Sequence, residues 1–357
     1  MDERARKFEL IPFLMGSLAV YKTVRLLAQV GWQSSTSRVS ELMLSIVVGI
    51  VGFVIALCLL FFASALLLNY GIEILFSVTT PDGGDSRQNF GIFMISPTLS
   101  RVIIAVVAGL IAGILVMPAH RVARSFWLGT DQLQWNIPMA NWGVIARFLL
   151  HVNVAFPLLA SIIWIKPMAS LFVTSEASKQ SGLERQGRNA EEKVVQFWGK
   201  FLFPAPSADW AQDFGVPRNV FGKVQFWSLL LAGLLHLSLF RVHVQTYLNE
   251  ALIVWYEGLH RSKVMNLELV RAKLLLNSYF LCRAAMQFFV PGVLVALLLG
   301  MSRIWGSVPL FDLAEMSPNL FFLRVVVLFM AWWTTFSWGL LTCVTLALYR
   351  AGFLLAS

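Results

Sequence analysis

Charge is scarce in this chain: 13% of its 357 residues are Asp, Glu, Lys or Arg, about half the share of an ordinary soluble domain. So little charge cannot solvate a water-soluble surface of that size. Cysteine is scarcer still. Cys58, Cys282 and Cys343 are the whole supply, each inside apolar helical sequence, which excludes a disulfide framework and a cysteine-rich metal cluster. No N-x-S/T acceptor occurs, so glycosylation gives no marker of sidedness. The chain has no H-E-x-x-H, no G-x-S-x-G and no paired intramembrane aspartates able to share a proton. An enzyme is therefore not expected, and that reading would rest on His151 and His236 meeting in space. No cofactor is expected either.

What the chain has in abundance is apolar sequence. Hydrophobic residues make up 58%, with 28 Phe and 13 Trp, a composition suited to helices whose aromatic ends sit at the lipid headgroups. Residues 43–68 (MLSIVVGIVGFVIALCLLFFASALLL) carry no charge, and a helix of that length outruns the roughly 30 Å hydrocarbon layer of a bilayer. Further spans read at 97–117, 144–165, 224–240, 277–301 and 320–348. The second has Ser96 as N-cap, Pro97 at the first helical position and Pro118 as its end. A seventh segment, 8–30, has an apolar centre but carries Lys22 and Arg25 near its end, and reads as an uncleaved span or an interfacial helix. The expected fold is an all-α, polytopic transmembrane bundle of six spans plus a seventh at the N-terminus, forming one membrane domain over 1–357.

The net charge of +9 is spread over loops, which points to topology determinants and anionic-lipid contacts and not to nucleic acid. Basic residues gather in the N-terminal arm, after the second span (Arg121, Arg124) and over 241–273. They alternate with the acid-leaning turn at Asp82 and Asp85 and with Asp312 and Glu315. That alternation places the C-terminus in the cytoplasm; a seventh span at the start would move the N-terminus across. The extramembrane loop 168–222 is too long to obey the charge rule. Within it, near 189–203, Val194, Phe197, Trp198 and Phe201 recur at helical spacing opposite Glu191, Glu192 and Lys200, the pattern of an amphipathic helix lying on a membrane surface.

Polar residues inside hydrocarbon need internal partners. At 100° per residue His236, His243, Tyr247, Glu250 and Glu257 share one face of the helix that begins at Val224. In the plainer reading only His236 is intramembrane, hydrogen-bonded within the bundle. His151 lies one turn from Arg147, with Asn153 nearby and Pro157 as a kink. Arg283 and Gln287 precede Pro291. Arg147 and Arg324, near span ends, fit snorkelling to the interface; Arg283 fits it least, and Glu250 or Glu257 are its expected counter-charges. The candidate polar network is thus His151, His236, Arg241, His243, Tyr247, Glu250, Arg283, Gln287 and Arg324. Ala105, Gly109 and Gly113 form a small-residue face for close helix packing, within the bundle or in self-association; Gly49 and Gly52 offer another.

Several of these residues fall in runs that resemble, in order, the transmembrane protein 161 family: FLLHVNVAFPLLASIIWIKP (148–167), FRVHVQTYL (240–248), MQFFVP (286–291) and FLRVVVLFMAWWT (322–334). ILVMPAHR (114–121) and the VYKTVRLL to SRVSEL stretch are similar more loosely. Specificity lies in the joint order. Animal members carry a further N-terminal region with hydrophobic segments, so the chain is expected to be a short member. The resemblance implies a multi-pass protein linked to cardiac rhythm through potassium and calcium currents and to oxidative-stress resistance. It supplies no catalytic or ligand residue; matched positions such as Arg121, Lys166, Gln245, Trp332 and Trp333 are candidates for a shared structural core.

Two functions then compete. The first is a non-enzymatic modulator of ion-handling membrane proteins or of membrane homeostasis, with lipids and a membrane-protein partner as its contacts. The second is a transporter or channel whose polar path is lined by His236, His243, Glu250 and Arg283. Pro157 and Pro291 suit the broken helices of transporters, but no inverted repeat, TVGYG filter or voltage-sensing Arg ladder is present.

Overall fold

The computed structural model describes residues 3–32, 38–61, 97–131, 144–165, 218–249, 278–303 and 318–352. These form seven helices: α1 (Glu3–Trp32), α2 (Arg38–Phe61), α3 (Pro97–Asp131), α4 (Val144–Ile162), α5 (Arg218–Ser238), α6 (Ser278–Arg303) and α7 (Pro318–Arg350). After an irregular Leu239, α5 continues as residues 240–249. The chain is a multi-pass helical membrane protein, and no β-strand occurs among the described residues. Among the described residues, five helices hold apolar stretches long enough to cross a bilayer: Leu42–Phe61, Thr98–Trp127, Phe221–Asn249, Leu281–Arg303 and Phe322–Arg350.

The expected span at 144–165 appears as a shorter apolar helix, Phe148–Ile162. Its end tightens, with Trp164 N–H on Ser161 O and Ile165 N–H on Ile162 O, the i to i−3 bonds that close a helix. The first segment forms one long helix, α1, with Pro12 inside it. It packs on α6 and α3, where Gly16 lies against the Met301 side chain, while Leu14, Met15, Leu18 and Tyr21 face outward. The amphipathic segment near 189–203, together with Glu250 and Glu257, lies outside the described residues.

Several boundaries differ from expectation. The fifth helix begins at Arg218, ahead of Val224. More consequentially, Pro118 does not end the second long span: α3 runs through it to Asp131. A proline inside a helix removes one backbone hydrogen bond and costs about 3 kcal/mol in isolation. Here the residues beyond it, Ala119, Val122, Ala123 and Phe126, are all buried, so packing holds the continuation in place.

The centre of the bundle is α7, which touches α3, α4, α5 and α6. In its hydrophobic stretch 78% is buried, against 17% for α2 at the edge. Neighbouring indoles of α7 tie it to two helices at one level: Trp332 Nε1–H donates to Ser161 O of α4 at 3.0 Å, and Trp333 Nε1–H to Ala108 O of α3 at 2.8 Å. Lower down α7, Tyr349 Oη meets His120 Nε2 of α3 at 3.1 Å. The order Ala108 with Trp333 and His120 with Tyr349 makes α3 and α7 parallel. The pairs Trp332 with Ser161 and Cys343 with Val154 make α4 and α7 antiparallel.

At the edge, α2 packs antiparallel on α3 through the small-residue face anticipated from the sequence. Ala105 is fully buried. A Cβ placed on Gly109 would lie 2.8 Å from Gly49 O, and one on Gly113 2.9 Å from Ser45 O; Ser45 Oγ–H donates to Gly113 O at 3.0 Å. That face is filled within the chain, by Gly49, Gly52 and their neighbours. A second close approach joins α5 and α6, where Cβ atoms on Gly233 and Gly292 would lie 3.3 and 3.1 Å from each other's carbonyl oxygens.

Candidate functional site: a buried histidine pair

The Gly233 and Gly292 contact brings α5 near enough to α6 for a side chain to reach its backbone. One turn after Gly233, His236 Nε2 lies 2.7 Å from Phe288 O. A carbonyl only accepts, so Nε2 carries the proton and donates. Nδ1 of the same ring is then a lone pair, and Asn153 Nδ2–H of α4 donates to it at 3.4 Å.

His243 lies two turns further along α5, kept on the same face because the helical ladder survives the irregularity: Leu239 N–H bonds Leu235 O at 3.2 Å and His243 N–H bonds Leu239 O at 3.0 Å. Its Nδ1 is 2.9 Å from Ser125 Oγ of α3. The single Ser125 hydroxyl proton goes to Val122 O at 2.9 Å, so Ser125 accepts and His243 Nδ1 donates. His243 Nε2 is therefore also a lone pair, and it too lies 3.4 Å from Asn153 Nδ2. Donor and acceptor roles thus close on one assignment with both imidazoles neutral.

Apolar and aromatic groups seal the pair. The His236 ring meets Trp338 of α7 edge-on at 4.3 Å, His243 stacks on Phe288 at 5.4 Å, and the two imidazole centroids are 5.4 Å apart. His236 is fully buried and His243 is 1% exposed. Five helices contribute, α3 to α7, so the site sits where the bundle is densest. Around the pair, Asn153 Oδ1, Trp338 Nε1 and both polar atoms of the fully buried Gln287 side chain, one residue before Phe288, find no hydrogen-bond partner among the described residues. An unfilled buried acceptor costs about 1–3 kcal/mol. No group of three or more His, Cys, Asp or Glu that could hold a metal ion occurs among the described residues.

The other anticipated members lie elsewhere. His151 is exposed on the far side of α4, edge-on to Phe126 at 5.0 Å. Arg241 is exposed, and Tyr247 is half-buried beneath the Arg121 guanidinium, 5.9 Å from its ring centroid. Arg283 is buried on α6, one turn before Gln287; its expected partners fall outside the described residues. Arg324 is covered by protein near the start of α7. The side chain of Arg147 is not described. Ser125, Phe288 and Trp338 are participants that the sequence reading missed. Ser125 lies beyond Pro118, where the sequence signals a helix end, and nothing in the spacing of Asn153 points to the histidines.

No solved structure matches the chain. The family model described as predicted transmembrane protein 161AB matches residues 6–185 and 216–309, well over half of the chain and a stretch holding every side chain of the histidine site except Trp338. The chain belongs to the transmembrane protein 161AB family.

Proposed function

We propose that this protein is a non-enzymatic modulator of ion-handling membrane proteins, acting through lateral contacts and not through a pore of its own. The observation that carries the reading is the sealed, neutral histidine pair: His236 and His243 are closed off by Trp338, Phe288 and Asn153, with their protons committed to protein acceptors. A path for ions needs polar groups that face water, and these face protein. The outward face of α2 supports the same reading, since Val47, Ile50, Val51 and Val54 are left uncovered for lipid or a neighbouring helix. Resemblance to a family associated with potassium and calcium currents names the class of partner.

Electrophysiology can separate this from transport. In cells lacking the protein, potassium or calcium currents should change amplitude and recover on re-expression, while the purified protein in planar bilayers should conduct nothing. Intrinsic flux in liposomes, abolished by His236→Ala, would replace this reading with the transporter one, whose support is the pair of proline-interrupted helices, α4 at Pro157 and α6 at Pro291.

A further inference from the structure

We infer that His236, His243 and Asn153 form a binding site for a single copper-class metal cation, with cuprous copper favoured. This site is independent of the modulator reading and would stand if that reading failed.

The first feature of the site is convergence. His236 Nδ1 and His243 Nε2, the two ring nitrogens left with lone pairs, both lie 3.4 Å from one atom, Asn153 Nδ2. Those contacts exceed the usual hydrogen-bond range of roughly 2.7–3.2 Å, so the amide holds the rings apart only weakly. Meanwhile its oxygen, in a residue 2% exposed, has no partner among the described residues.

The second is orientation. Each histidine donates its other ring N–H to an oxygen, Phe288 O for His236 and Ser125 Oγ for His243. This outer-shell arrangement fixes tautomer and ring plane in metal-ligating histidines. A structural histidine needs one such bond; here two rings are each fixed from behind with their lone pairs aimed at one point.

The third is the amide itself. Oxygen and nitrogen of an asparagine occupy nearly the same shape. Turning Asn153 over would bring Oδ1 toward the ring nitrogens, setting three acceptors around one point, an arrangement that a metal cation can hold together. A lone proton on either ring would still leave the other ring's lone pair against the amide oxygen. A metal accepts from all three. The third ligand would be an amide oxygen, which lies outside the usual His, Cys, Asp and Glu set.

Charge selects among metals. The two imidazoles, the amide, Ser125, Phe288 and Trp338 are all neutral, and a buried divalent ion without an anionic ligand pays a desolvation cost that such a set does not offset. Imidazole nitrogen suits copper and zinc, and a monovalent copper ion leaves the smaller charge to bury.

The test uses the full chain, purified without a polyhistidine tag into lipid nanodiscs under anaerobic reducing conditions. Cu(I) is titrated against bicinchoninate, with Zn(II) in parallel. The expected result is one Cu(I) per chain, weakened at least about 100-fold by His236→Ala or His243→Ala and about 10-fold by Ser125→Ala, the scale of losing an outer-shell partner. His151→Ala should leave it unchanged. X-ray absorption of the copper-loaded wild type reads the ligands without any variant and should show imidazole nitrogen with no sulfur. Failure of the folded wild type to compete for Cu(I), retention of affinity in both histidine variants, or a sulfur-dominated spectrum would each overturn the proposal. One-to-one zinc binding in preference to copper would overturn the charge argument and the copper assignment with it.

Discussion

Asn153 holds two rings with one amino group, so its removal is felt twice. Asn153→Ala leaves His236 Nδ1 and His243 Nε2 as buried lone pairs with no donor. Side-chain hydrogen bonds within membrane bundles average about 0.6 kcal/mol and reach about 1.7, so a loss of about 1–3 kcal/mol is expected in detergent-titrated unfolding. Stability equal to wild type would mean that the long contacts hold nothing. Trp333→Phe makes a narrower test, because it keeps an aromatic ring while deleting the donor to Ala108 O; that carbonyl also lies inside α3, so the expected loss is about 1 kcal/mol. The histidines were legible in the sequence because seven residues bring a helix nearly back to the same face. Their partner was not. Residue type alone groups His151 with them, yet Asn153 is two residues on, about 200° around the helix, so only one of the two can face inward, and the structure turns Asn153 in and His151 out.

The same distinction between pattern and packing decides what can be read of whole elements. Long apolar runs located the spans because hydrocarbon imposes a length on any helix that crosses it. Helix ends were less legible: Pro118 carries an intrinsic signal to stop, and burial of Ala119, Val122 and Ala123 against partners distant in sequence overrides it. The small-residue face of α3 was legible as a contact, but its occupant depended on which helix lay beside it. Glycine substitutions separate close approach from mere helix content. In Gly113→Ala the new Cβ would lie 2.9 Å from Ser45 O and 3.3 Å from Gly49 Cα, both backbone atoms, so α2 and α3 must move apart. Gly300→Ala meets nothing within 4 Å and replaces a poor helix former by a good one. Thermal unfolding should therefore fall by several degrees in the first variant and stay level or rise in the second. Equal behaviour of the two would show that α2 does not rest on α3 through this seam.

For the molecule as a whole, α7 sets the order of the layers, and its two ends give the bundle a polarity. At one end Arg303 of α6 lies over the Phe226 ring of α5, its guanidinium 4.4 Å from the centroid, and Arg101 of α3 lies over Phe61 of α2 at 5.4 Å. At the other end His120 meets Tyr349, and Arg121 meets Tyr247. The parallel run of α3 with α7 puts Arg101 level with the start of α7, where Arg324 lies, and so opposite the end that carries Gly352, which closes α7 with a left-handed φ of 75°. The charge rule applied to the sequence gives the expectation that the second of these ends faces the cytoplasm. Single cysteines test that orientation in a background where Cys58, Cys282 and Cys343 are replaced by serine or alanine. Ala351→Cys and Arg303→Cys sit at exposed positions on opposite ends. A membrane-impermeant maleimide applied outside intact cells should label Arg303→Cys and spare Ala351→Cys until the membrane is opened. The reverse pattern would invert the bundle, and labelling of both from outside would mean that α7 does not cross. Because α3, α4, α5 and α6 all pack on α7, its direction fixes theirs, and one pair of cysteines therefore orients the histidine site: the expected labelling would put Ser125 and His243 nearer the cytoplasmic end than His236.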